Sequence, residues 1–181
     1  MRYSVAGLLC VASLLARRTP AQSPNRVAGP PANHPASAPD LSGTWVLDKT
    51  KSDFGLLPAP SADTSTYTKI GEVYHVVEVN SADTGSSHIA YTWPVGSGEV
   101  SSDLPDLEAS IQTRVTQHGD TATFVSQLKH LGKTIEIESG REYLSADGKV
   151  RTREFDLQSL ANPDEDLQHV VAVFERLDVG R

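Results

Sequence analysis

From Leu107 to Thr116 the chain alternates without a break. Leu107, Ala109, Ile111, Thr113 and Val115 fall in one phase, and Glu108, Ser110, Gln112, Arg114 and Thr116 in the other. A period of two belongs to a strand with one face against a core and one face in water. His118-Gly119-Asp120 then turns the chain, and "TATFVSQLKH" returns with Ala122, Phe124, Ser126 and Leu128 on one side. Leu131-Gly132 turns it again into "KTIEIESGREYLS", and Asp147-Gly148, a dipeptide suited to a type I′ turn, leads into "KVRTREFDLQS". Three successive hairpins make a meander, and a meander must hide the same phase of every strand.

Two further strands are expected upstream, in "STYTKIGEVYHVVEVN" and "SHIAYTWPV", both rich in β-branched and aromatic residues. Gly71 interrupts the first and is read as a bulge or sharp bend. "LQHVVAVFERLD" is the last strand and "DLSGTWVLD" the first, giving eight. No amphipathic helix of useful length is visible; the best candidate is one turn over Thr50–Phe54, ended by Gly55. Eight antiparallel strands can close into a barrel or split into a sandwich. Short turns favour the barrel, because sandwiches use longer crossing connections and closure removes exposed edges. The expected fold is all-β: an eight-stranded antiparallel up-and-down barrel with at most one short helical turn.

The barrel does not use the whole chain. Arg2, the apolar run Val5–Ala16 and the small-residue stretch Thr19-Pro20-Ala21 follow the order of a secretory signal peptide, assigned to residues 1–21. The apolar run is shorter than the roughly 20 residues a spanning helix needs, although a retained anchor is the competing reading. Residues 22–40 carry five prolines and little apolar bulk, as expected of a disordered linker or a spacer left by cleavage. The domain then covers 41–181, with no transmembrane segment after cleavage and a secreted or periplasmic location. Cys10, the one cysteine, lies inside the signal, so disulfides, thiolate metal sites and cysteine nucleophiles are ruled out for the domain. Of the 16 Lys and Arg in the chain, Arg2, Arg17, Arg18 and Arg26 precede Leu41, leaving a strongly acidic domain. Nucleic acid and anionic membrane surfaces are therefore poor partners.

In the first strand Leu41, Gly43, Trp45 and Leu47 share a face. A glycine two places before a tryptophan lets a neighbouring chain approach while the indole lies across the end of the barrel. "SGTW" resembles the G-x-W signature on the first strand of lipocalins and their calycin relatives. The longer string "SGTWVLDKTKSDFG" is similar to the start of small exported bacterial lipocalin-like proteins, a family mostly without assigned activity. The resemblance is close over about 20 residues and architectural elsewhere. It implies an arginine from the last strand over the tryptophan, here Arg176, so that Gly43, Trp45 and Arg176 form a structural plug at one end. Without the family, Trp45 reads simply as a core aromatic.

A barrel of this size either fills with side chains or holds one small ligand. If Ile135 and Ile137 point inward, the same phase carries Ser139, Arg141 and Tyr143 inward. "REY" is similar to the arginine and tyrosine that hold the ligand carboxylate in small intracellular lipid-binding barrels, where the pair lies on the last strand. A phase slip at Gly140 would place Arg141 outside. The candidate ligand-binding residues are Ile111, Phe124, Leu128, Ile137, Arg141 and Tyr143, and the expected partner is a small hydrophobic molecule.

No catalytic residue, metal or cofactor is assigned. His75 and His130 are the histidines most suited to an interior, but no two histidines stand at a metal spacing on one element. A haem-binding nitrobindin-like reading lacks the glycine-rich continuation after the tryptophan. "GSG" at 96–98 lacks a nucleophile elbow, and the acidic loops "DLPDLE" and "NPDEDL" lack calcium-loop spacing. The segment from Trp93 to Asp106 is read as a long loop that lids the open end, with Tyr91 and Trp93 near the mouth. A filled barrel acting as a structural or interaction module is the alternative. A calycin-type isomerase or cyclase using His75 or His130 is the third reading.

Overall fold

The computed structural model describes residues 38–82, 85–162 and 166–177; the expected signal peptide and the linker up to residue 37 lie outside them. Ten strands follow one another: β1 (Gly43–Leu47), β2 (Ala62–Ile70), β3 (Val73–Ala82), β4 (Gly85–Pro94), β5 (Gly98–Leu104), β6 (Ala109–His118), β7 (Thr121–His130), β8 (Lys133–Leu144), β9 (Val150–Ser159) and β10 (Gln168–Arg176). The only helical element among the described residues is a 3-10 turn, Pro105–Leu107. Thr50–Phe54, expected to form a helical turn, runs beside β10 instead, where Asp53 bridges Val171.

All pairings are antiparallel, in the order β4-β3-β2-β1-β10-β9-β8-β7-β6-β5. The sheet curls until β4 and β5 face each other. No ladder joins them; Ser102 Oγ accepts from the Thr92 amide at 2.8 Å and lies 2.7 Å from Thr92 Oγ1. The barrel is thus nearly closed, with a side-chain seam.

Ten strands replace the expected eight for two local reasons. Gly71 is neither bulge nor bend within a strand: with φ +62° it sits in a tight turn between Ile70 and Val73, dividing one long apolar run into β2 and β3. The expected lid loop contains β5. Its alternation is real, with Val100, Ser102 and Leu104 more buried than Glu99, Ser101 and Asp103. The small polar residues on its inner face conceal that pattern.

At one end Trp45 is fully buried and its Nε1 donates to Leu41 O at 2.8 Å. The Arg176 guanidinium lies 4.6 Å from the indole centroid, and its Nη2 donates to Asp40 O at 2.8 Å. Gly43 has φ +117°, a backbone conformation that side-chain-bearing residues rarely adopt, whereas a Cβ there would meet Arg176 Nε only at an ordinary 3.9 Å. Tyr74 Oη accepts from the Leu41 amide at 3.1 Å. Residues 39–40, assigned to the linker from sequence, therefore help to seal this end. Above it lies a core of Tyr67, Tyr74, Val76, Trp93, Phe124 and Phe174.

The phase of β8 is opposite to the sequence-based expectation. Its inner face carries Glu136, Glu138, Gly140 and Glu142, while Ile137 belongs to the outer phase and Ile135 falls at a bulge where the register with β7 shifts. Pairing with β7 fixes this: Leu128, buried, stands opposite Glu136, and Phe124, buried, opposite Gly140. A Cβ on Gly140 would lie 2.1 Å from Glu154 O and 2.6 Å from Phe155 Cα, so β8 and β9 meet there only because the side chain is missing. The carboxylates on β8 meet Arg151 and Arg153, which share the inner phase of β9 with Phe155 and Leu157.

Candidate functional site: a carboxyl-rich cavity

The barrel encloses a cavity of about 650 Å³. Tyr91, Trp93, Phe155 and Phe174 wall its deeper part, with Val170 and Ala172 from β10. Ile111 and Leu128 lie on the opposite side. Its outer end is lined by the strap after β1, where Phe54, Leu57, Pro58, Ala59 and Pro60 cross, and by the β3–β4 hairpin. The strap is fixed to β10: the Asp53 amide donates to Val171 O at 2.8 Å, and the Val171 amide to Asp53 O at 2.7 Å.

Into this mainly apolar space project four acidic side chains, with a fifth buried beneath it. Asp63 (β2), Glu78 (β3), Glu136 and Glu138 (β8) line the cavity, and Glu142 is buried below. Two guanidiniums face them. Arg153 Nη2 donates to Glu138 Oε2 at 2.6 Å, and its Cζ stands 4.6 Å from the Phe124 centroid and 5.2 Å from that of Phe155. Arg151, only 2% exposed, lies against Phe174 (4.2 Å), Tyr67 (4.8 Å) and Trp45 (5.6 Å). Its Nη2 donates to Ser65 Oγ at 2.9 Å. Trp45 thus has a guanidinium near it from two strands, Arg176 and Arg151.

Burial governs the protonation of these groups. Removal from water pushes the Asp63 carboxyl up to about 7; Glu78 adds to the rise, and Arg151 and Arg153 only partly oppose it. Burial raises Glu136 to about 8, reinforced by Glu138. Glu138 is raised by burial as well, against the pull of Arg153. For Arg153 burial is the largest influence and works against the charge, but Glu138 together with Tyr91, Glu142 and Tyr67 outweighs it, and the guanidinium is held more firmly protonated than usual. Tyr67 is raised to about 12, chiefly by burial. Tyr91 Oη donates to Glu78 Oε2 at 3.2 Å, giving that carboxylate one tethered oxygen.

The candidate residues divide between the two faces. Ile111 and Leu128 line the cavity, and Phe124 is buried beneath the Arg153 guanidinium. Ile137, Arg141 and Tyr143 belong to the outer phase of β8 and do not line it, a direct consequence of the phase set by β7. Arg141 has a side chain 55% exposed and pairs with Glu154 on β9 at 2.7 Å, with Tyr143 5.9 Å from its Cζ. His75 is exposed on the outer face of β3, which removes it as an interior acid or base. His130 ends β7 opposite Lys133, outside the cavity lining. Trp93 packs at 5.4 Å on Phe124 toward the plugged end rather than at a mouth. Among the described residues no three acidic, histidine or cysteine side chains are grouped to hold a metal ion.

Sequence reasoning missed Asp63, Glu78, Glu136, Glu138, Arg151 and Arg153. A signal existed for the arginines. In "RTREFDL" they share the period-two phase of Phe155 and Leu157, so an inward reading of those apolar residues carries Arg151 and Arg153 inside.

No protein-family model matches this chain, and no curated protein matches it in sequence. Among solved structures, fatty-acid-binding protein 1 of Echinococcus granulosus aligns at 12% identity with a TM-score of 0.45, over 76% of this chain and 97% of that one. A structure described as the REP1-NXSQ fatty acid transporter aligns at 14% identity and a TM-score of 0.43, over 77% and 98%.

Proposed function

We propose that this chain is an exported carrier or sensor barrel that binds one small, mostly apolar molecule without chemically changing it. The cavity carries this reading. Its volume, about 650 Å³, falls within the roughly 300–1,000 Å³ of small-molecule sites, and aromatic walls surround a few convergent polar groups. A filled structural barrel is disfavoured by the same volume. Export rests on the sequence of residues 1–21 alone.

The test is titration of the purified protein with Nile red, a neutral apolar dye that brightens when desolvated. Saturable binding at one site per chain is expected. Ala172→Phe, which projects a ring into the cavity from β10, should abolish it while leaving the β-sheet circular dichroism intact. Dye binding that survives this substitution unchanged would place the site elsewhere and remove the proposal.

A further inference from the structure

The cavity's charges do not balance, and the imbalance has a direction. The groups facing its interior are Asp63 on β2, Glu78 and Asn80 on β3, and Tyr91 on β4, with Tyr67 of β2 buried in the core below. Glu136, Glu138 and the buried Glu142 come from β8, and Arg151 and Arg153 from β9; exposed His88 stands at the rim. Arg153 is committed to Glu138 by the 2.6 Å ion pair. Arg151 is turned toward the plugged end, seated among three rings, its Nη2 bonded to Ser65 and its charge supported by Glu142, while its Nε and Nη1 have no hydrogen-bond partner. What remains toward the middle and outer cavity is acidic: Asp63, Glu78 and Glu136.

Asp63 is the decisive member. It is 8% exposed, lines the cavity, and its Oδ1 has no hydrogen-bond partner. Asp63 pairs with Asn80 across β2–β3, and Ser65 with Glu78, so Asp63 and Glu78 are diagonal neighbours on one inner face. A buried acceptor left unpaired is costly, and a donor supplied from outside recovers that cost. An ammonium brings three donors and the charge that two adjacent carboxylates lack. The apolar walls Tyr91, Trp93 and Phe155 suit the body of the same molecule.

We infer that the cavity selects an apolar molecule bearing a compact cationic head, such as a primary amine, with the head seated between Asp63 and Glu78. This deepens the binding reading above and rests on it. Burial, with repulsion from Glu78 on Asp63 and from Glu138 on Glu136, keeps these two carboxyls partly protonated near neutral pH. Seating a cation there expels protons, so amine affinity rises as the medium becomes more alkaline through that range, while a neutral ligand is indifferent to it.

The test compares three probes with one tail, octylammonium, octanol and octanoate, by calorimetry on the folded chain at pH 5.5 and pH 8. At pH 8 octylammonium should bind about tenfold tighter than octanol, as expected for a charge-assisted hydrogen bond, with octanoate weakest. At pH 5.5 the amine advantage should fall to about threefold or less. Asp63→Asn and, separately, Glu78→Gln should each reduce the amine-to-alcohol ratio at pH 8, a readout that holds even if one variant folds poorly. Equal binding of the three probes, or a ratio untouched by both substitutions, overturns the inference and leaves the binding reading standing. Tightest binding of octanoate overturns it in favour of Arg151 as the head-group seat. Failure of all three, together with failure of the neutral dye, overturns both.

Discussion

Replacing Asp63 by asparagine should make the empty barrel more stable, but only on the alkaline side. The carboxyl begins at an ordinary value of 3.8 and is raised by burial to about 7 in the fold. In the unfolded chain it therefore gives up its proton first. Any stability linked to the protonated form is complete below pH 4 and is lost as the pH climbs to about 7. The whole displacement corresponds to about 4 kcal/mol at 1.36 kcal/mol per pH unit. Relaxation and water entry in real interiors reduce such a figure, and about 2 kcal/mol is the expected net effect at pH 8. Asparagine has the same shape and never ionises, so its variant escapes that loss. Urea denaturation of ligand-free protein, followed by tryptophan fluorescence, should give nearly equal stabilities for wild type and variant at pH 4. At pH 8 the variant should lead by about 2 kcal/mol. Glu136 and Glu138 impose the same trend on both proteins and cancel in the difference. A gap that is constant with pH, or a wild type that leads at pH 8, would refute the reasoning.

Other substitutions probe the frame around the cavity. Gly140→Ala pushes a methyl group into the β9 backbone, where no rotamer can relieve it; a loss of about 3 kcal/mol is expected from thermal denaturation. Arg153→Met strands Glu138 in the interior and should cost about 3–5 kcal/mol, while Arg153→Met with Glu138→Met should be close to neutral, as a double-mutant cycle by urea denaturation would show. Arg141→Ala should leave Nile red affinity unchanged in the fluorescence titration, because this side chain lies on the outer face.

What the sequence disclosed and what it withheld follow from the same periodicity. Alternation in β6 and β7 is clean because Ile111, Val115, Phe124 and Leu128 all face inward, and the hairpins around them are legible from their turns. On β8 the rule misleads, because the interior there is acidic, Ile137 lies on the outer phase and a bulge interrupts the register at Ile135. Only the strand pairing reveals that, since Leu128 opposite Glu136 fixes the phase and no local pattern does. Arg151 and Arg153 were hidden by the ordinary presumption that charge means surface, although Phe155 and Leu157 two and four places on from Arg153 share their phase. The strand count failed at Gly71 because β2 and β3 are equally rich in β-branched residues, so a tight turn between them resembles an interruption within one strand. β5 failed for the opposite reason, with serines where a core-facing strand usually carries bulk.

The arrangement of the seam also bears on how such a barrel is assembled from an emerging chain. β4 and β5 are neighbours in sequence yet share no ladder, whereas β1 is hydrogen-bonded to β10, its most distant partner along the chain. Trp45 stands opposite Arg176 in that register, so the cation over the indole arrives with the final strand. A nascent domain delivered from its N-terminus can fold β1 to β4 as a local unit, but that unit keeps a bare border at β1 until nearly the last residues appear. Completion is set by the slowest kind of contact, one that spans the domain. Until then the β1 edge, which carries the tryptophan, stays open to a foreign strand as the β4 edge does.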